Sequence, residues 1–135
     1  MELRIYLYNK PVSDVRALHN EVFADELGAE NSFDDSIDNA TYVLIYDGKT
    51  AVATGRLVSS DGERFDIAGV CVKKAYRGKK LGRRVLSALE EDARKAGGKT
   101  ACGVVSEDVK PFFEKAGYTA DESGKAGISM VKKLR

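Results

Sequence analysis

Residues Val70 to Gly82, VCVKKAYRGKKLG, decide the fold. Val70, Cys71 and Val72 close an apolar run that reads as the end of a buried strand, and Leu81, Val85, Leu89, Ala93 and Ala96 recur behind it at helical spacing. Between them lies a turn rich in glycine and positive charge. A helix start leaves about four backbone N–H groups without intrahelical acceptors and carries partial positive charge, so main-chain donors can hold a phosphate there. Gly78 and Gly82 permit close approach, while Arg77, Lys79, Lys80, Arg83 and Arg84 add a local positive field. The stretch is therefore an anion-binding loop between strand and helix. It contains neither GxxxxGK[ST] nor GxGxxG, so it is not the phosphate loop of nucleotide hydrolases or of dinucleotide folds.

Upstream, Thr41–Tyr46 and Thr50–Val58 flank Asp47-Gly48 and form a hairpin, because Asp-Gly accepts the positive φ angles of a tight turn. Phe65–Val72 returns as the strand that feeds the loop, with Gly69 placed for a bulge or a close ligand approach. Downstream, a helix over about residues 80–96 ends at Gly97-Gly98. Thr100–Val105 follows as a strand one helical crossover away, which makes it parallel to Phe65–Val72. At the start of the chain, Leu3–Tyr8 alternates as a strand, and Val15, Leu18 and Val22 mark the buried face of a helix running toward Gly28. Asn31–Asn39 is an acidic loop or short helix on the substrate side. Ser106–Tyr118 contains a short helix with Pro111 in its first turn, Asp121–Lys125 is a polar turn, and Gly127–Leu134 is the closing strand. The sum is an α/β chain with a mixed, mostly antiparallel central sheet flanked by helices.

At 135 residues the chain fits one domain over 1–135, long enough to bury roughly two thirds of its unfolded surface. With 22 Lys and Arg against 21 Asp and Glu, no global field draws it to nucleic acid or membrane. The seven basic residues between Lys73 and Arg84 are a local feature. Cys71 and Cys102 sit in apolar runs with no CxxC or Cys/His metal spacing, which points to buried free thiols, no metal and a reducing, cytoplasmic setting. MELRIYLYNK lacks the layout of a signal peptide, and no apolar run approaches the roughly 18 residues of a membrane span.

Arg77, Gly78, Lys79, Lys80, Leu81 and Gly82 resemble the RxxGxG loop of the GNAT N-acetyltransferase superfamily, with Lys80 in place of the middle glycine. SEDVKPFFEKAGY resembles the family's NxxAxxLYEKxGF signature, with Glu114, Lys115, Gly117 and Tyr118 in register. Val22, Phe23 and Glu26 are similar to the VFxxEQ pattern of a bacterial single-domain branch, and Thr54, Gly55 and Arg56 to its TGR strand. Gly127, Ile128 and Met130 are similar to that branch's last strand, where Ser129 replaces a common histidine. The resemblance covers nearly the whole chain and implies the GNAT acyl-CoA N-acyltransferase fold. It implies acetyl coenzyme A as cofactor, held by Val70, Cys71, Val72, Arg77, Gly78, Lys79, Lys80, Leu81, Gly82 and Arg83, with Ser106 and Phe113 at the positions of the family's Asn and Tyr.

The implied reaction is direct attack of a primary amine, of a small molecule or a protein, on the thioester. An alkylamine near pKa ~10.4 is mostly charged at neutral pH, so a base must take a proton. Glu26 is the first candidate and Asp66 the second; the sole histidine, His19, lies beside the apolar stripe and reads as a core or surface residue. Phe113 has no proton to donate, which turns the acid role toward Tyr118 or Tyr76, and a backbone N–H near Cys71 or Val72 would meet the oxyanion. Lys80, Ser106, Phe113 and Ser129 also motivate an alternative, an acyl-CoA-binding sensor module with weakened turnover. Nucleic-acid binding through Lys73–Arg84 is the third reading, without a reader motif to support it. A homodimer through an exposed final strand is expected as a further option.

Overall fold

The computed structural model describes residues 2–10, 12–22, 40–59, 61–124 and 127–134. Their elements run β1 (Leu3–Tyr8), α1 (Ser13–His19), β2 (Ala40–Asp47), β3 (Thr50–Ser59), β4 (Arg64–Val72), α2 (Leu81–Lys95), β5 (Thr100–Val105), α3 (Lys110–Lys115), β6 (Thr119–Gly124) and β7 (Gly127–Lys133). The strands form one seven-stranded sheet in the order β1-β2-β3-β4-β5-β7-β6. Only β4 and β5 are parallel neighbours, as a single helical crossover between them requires.

The hairpin β2–β3 closes with Asp47 opposite Thr50, so the turn is Gly48-Lys49, with Gly48 at φ +59. One face of the sheet is covered by α2, whose Leu81, Val85, Leu86, Leu89 and Ala93 pack on Val43, Ile45, Val52, Ala53 and Leu57. Each such side chain contributes roughly 1.5–3 kcal/mol when withdrawn from water. Helix and sheet can approach this closely because Gly55 has no side chain: a Cβ there would stand 2.6 Å from Val85 Cγ1. The opposite face is covered by Val15 and Leu18 of α1 and by Val22 just after it, against Ala40, Tyr42, Leu44 and Cys71.

Three expectations change. The expected polar turn over Asp121–Lys125 is, in its described residues 121–124, part of β6 (residues 119–124), a polar strand at the sheet edge, where one side meets water and polar residues are tolerated. Consequently the final strand is not an edge. β7 is paired on both sides, by β5 and β6, and has no free row of hydrogen-bonding groups for a partner chain. Helix α1 stops at His19, and residues 20–22 continue as a π turn. Phe23, Glu26, Gly28 and the Asn31–Asn39 segment lie outside the described residues. No described helix is long and apolar enough to cross a membrane.

Candidate active site

Strands β4 and β5 pair only over Arg64–Asp66 and Thr100–Cys102. Beyond Asp66 they separate, and the cause lies in β4. Arg56 of β3 is opposite Ala68 and Thr54 is opposite Cys71, so Gly69 and Val70 together face the single residue Gly55. This is a β-bulge, with Gly69 at φ +64, a conformation that glycine adopts without steric penalty. The splayed strands open a cleft of about 290 Å³ lined by Ile67–Val70, Val104–Ser106, Val109, Phe112 and Phe113.

Strand alternation bears on which main-chain donors of β4 are turned away from β3. Lys73 N–H donates to Val52 C=O at 2.8 Å, toward β3. Alternation along the strand turns the Cys71 N–H to β3 as well and leaves those of Val70 and Val72 on the side from which β5 has diverged. Cys71 itself packs with Leu18 and Val22, and burial pushes its thiol up to about 12, the state of an inert core thiol.

The basic loop follows β4 beside the cleft, where Gly82 lies against Phe112 of its wall. Arg77 folds back so that its Nε donates to Val72 C=O at 3.0 Å, and Gly78 turns the chain at φ +80. Lys80 then adopts φ +63, the only positive φ among the described non-glycine residues, at the N-cap of α2. Lys80, which stands where the loop it resembles has its middle glycine, thus takes a backbone conformation that glycine adopts without steric penalty. The first intrahelical bond runs from Arg84 N–H to Lys80 C=O, so the N–H groups of Leu81, Gly82 and Arg83 are left at the helix start, with no capping side chain and no acidic residue in the first turn. Gly82 lies against Phe112 and Val72, where a Cβ would meet Phe112 Cζ at 3.1 Å, and Arg83 donates to Lys115 C=O at 2.9 Å. These contacts anchor the helix start beside the cleft.

The remaining expected residues separate into two groups. Ser106 and Phe113 line the cleft, the first exposed at the end of β5 and the second 3% exposed as part of its apolar wall. Tyr118 does not line it. The ring is 2% exposed, stacked edge-on to Phe113, and its hydroxyl donates to Glu90 Oε2 at 2.8 Å within a buried cluster completed by Lys132, 3.0 Å from Oε1. Burial first, and then the Glu90 carboxylate, raises the Tyr118 pKa far above its ordinary value. The Tyr118 hydroxyl expected as an acid is thus held by Glu90, away from the cleft. Tyr76 is likewise engaged elsewhere, donating to Asp47 Oδ2 at 2.8 Å, and Asp66 pairs with Arg64 in the exposed, still-paired part of β4.

A second cavity, of about 120 Å³, lies on the α1 face, lined by Val15, His19, Tyr42, Thr54, Gly55, Arg56, Ala68 and Gly69. The two share Ala68 and Gly69, at the edge of the bulge. His19 stands over that junction: a Cβ on Gly69 would meet its Cδ2 at 3.6 Å and its Nε2 at 3.8 Å. The sequence reading considered this residue and set it aside as a core or surface histidine. The available signal was its position four residues after Val15 on the buried stripe, one that a solvated histidine would avoid.

The sequence profile of the acetyltransferase (GNAT) family matches residues 7–118. N-acetyltransferase YjcF of Bacillus subtilis strain 168, itself uncharacterized, is 28% identical over 109 residues, covering 79% of this chain and 77% of YjcF. A crystal structure assigned as an N-acetyltransferase from Lactobacillus plantarum superposes with a TM-score of 0.88 at 27% identity, over 100% of both chains. An aminoglycoside 6'-N-acetyltransferase complexed with coenzyme A superposes at 0.82 with 15% identity, over 98% of this chain and 97% of that one, a likeness of fold alone.

Proposed function

The chain belongs to the GNAT family of acetyltransferases, and from that premise we propose that it transfers the acetyl group of acetyl coenzyme A to a primary amine of a small molecule or protein by direct attack. The observation that carries this reading is the splay of β4 from β5 directly beside the uncapped start of α2. It joins an apolar slot suited to a slender pantetheine arm to a set of main-chain donors suited to a pyrophosphate. The residues fit the coenzyme: Arg77–Arg83 at its phosphates, Val70 and Val72 along its amides, Ser106 and the Phe113 ring on the far wall.

The bound thioester supplies an electrophilic carbonyl carbon at the inner end of the slot. The Val70 and Val72 N–H groups are the described donors available to negative charge growing on its oxygen, and fixed donors of this kind are worth about 3–4 kcal/mol. The cavity on the α1 face admits the amine, which reaches the carbonyl at the bulge. The coenzyme thiol, with a pKa of about 8.5 if it resembles cysteine, can leave largely as thiolate, so Phe113 in place of a tyrosine is compatible with turnover. Glu26, the sequence's candidate base, lies outside the described residues.

Calorimetric titration with acetyl coenzyme A, followed by thiol release against a panel of amines and polyamines, tests the proposal. Saturable binding with amine-dependent thiol release is expected. Absence of binding, or binding without release on any amine, overturns it.

A further inference from the structure

Resting on the reaction just proposed, we propose that His19 is a catalytic residue: its Nε2 takes the proton from the attacking amine where the two cavities meet. Three observations converge on this atom. It lines the cavity on the α1 face. It lies against Gly69, one of the two residues common to both cavities, close enough that a Cβ there would be 3.8 Å away. It also sits in the last turn of α1, just before a wide π turn at residues 20–22, an irregularity often found at functional sites.

The step balances within the groups named. A bond forms between the neutral amine nitrogen and the acyl carbon while the carbonyl π pair moves to oxygen. The nitrogen, now positive, passes one proton to Nε2. The carbonyl re-forms, the C–S bond breaks, and sulfur leaves with the electron pair. The imidazolium then returns its proton to the thiolate or to water. Nothing is oxidised or reduced.

The surroundings favour a neutral imidazole before the step. Burial, and then the positive charge of Arg56 from β3, lower the His19 pKa below its ordinary value of 6.5. Tyr42 of β2 and Thr54 of β3 are the other polar side chains lining the cavity. Cys71 of β4, packed on the neighbouring Leu18, stays protonated. Glu21, on the π turn, is paired with Lys73 at 3.4 Å. A ring held neutral at pH 7 can accept a proton, the requirement for a general base.

Because His19 is the only histidine, its ring signals in a heteronuclear NMR spectrum are unambiguous. In the wild-type protein the ring is expected to titrate with a midpoint below 6.5, and saturation with acetyl coenzyme A is expected to shift both its resonances and that midpoint. With the best acceptor of the amine panel, kcat/KM should fall on the acid side with the midpoint seen by NMR. His19→Gln should lower kcat by about 10²-fold or more, consistent with general-base contributions of 10²–10⁴, and remove that acid limb. Its affinity for acetyl coenzyme A should be unchanged. A His19→Gln enzyme that keeps both kcat and the acid limb overturns the proposal, as does a Glu26→Gln enzyme that loses the limb in its place. If the variant fails to fold, a wild-type ring blind to acetyl coenzyme A overturns it alone. Coenzyme binding without transfer by the wild type would sink the proposed function, while the NMR response still decides whether the ring faces the thioester.

Discussion

At the residue scale, two side chains carry conformational or electrostatic loads that substitution can expose. Lys80 holds a left-handed backbone at φ +63, which costs a residue with a Cβ roughly 1–2 kcal/mol. Lys80→Gly should therefore raise the unfolding free energy by about 1 kcal/mol, after allowance for the greater freedom of glycine in the unfolded chain. Urea denaturation measures it, and a destabilised variant would mean that the lysine side chain contributes a contact outweighing the strain. Tyr118 presents the opposite case. Its hydroxyl satisfies the buried Glu90, which retains Lys132 when the hydroxyl is removed. Tyr118→Phe should lower stability by about 1–3 kcal/mol, the cost of an unmade buried hydrogen bond, with kcat per folded molecule unchanged. A general acid at this position would instead lose about 10²-fold or more in kcat, so stopped-time assays alongside thermal melts separate the two roles.

At the scale of elements, the site depends on how closely α2 lies on β3. Gly55 is both the residue faced by the two bulged residues of β4 and the point where Val85 and Leu89 press on the sheet. A methyl group at 2.6 Å from Val85 Cγ1 and 3.2 Å from Leu89 Cδ1 cannot be accommodated without moving helix or strand. Gly55→Ala should cost about 1–3 kcal/mol, the usual penalty of overpacking, and should also weaken acetyl coenzyme A binding because the displaced helix carries the anion loop. Paired denaturation and calorimetric experiments check both halves; lost stability with unaltered affinity would show that the loop is positioned independently of this contact. The elements also show where sequence patterns are legible. Leu3–Tyr8 and Thr100–Val105 were read with the bounds the structure gives them, because alternation or an apolar β-rich run is a local property. TADESG was not recognised as part of a strand, because its polar composition matches a turn and its β conformation comes from pairing with β7.

At the scale of the whole molecule, charge is balanced overall yet concentrated: a formal net charge of +1 coexists with seven basic residues between Lys73 and Arg84. Some of these already have partners in the fold, Lys73 with Glu21, Arg77 with Val72 C=O and Arg83 with Lys115 C=O. The proposed coenzyme affinity should therefore depend on salt only moderately, weakening about three- to tenfold between ~0.05 and ~0.5 M, because fixed main-chain donors are screened less than exposed ammonium groups. Substituting Lys74 and Lys79 together by Gln should flatten that dependence in titration calorimetry. An unchanged salt slope in the double variant would show that these two side chains do not face the coenzyme phosphates.

The strand, the basic loop and the helix from Val70 onward could be read in the sequence alone, as could the family, because strand, loop and helix signals are local and the family's motifs are short runs of neighbouring residues. Only the tertiary structure decided what happens across the sheet. It set His19 against Gly69, 50 positions away, buried Tyr118 on Glu90, and placed β7 inside the sheet. Such placements follow from a bulge, a strand register and the packing of two helices on opposite faces, each settled by contacts between distant segments and none by the types of residue that neighbour one another along the chain.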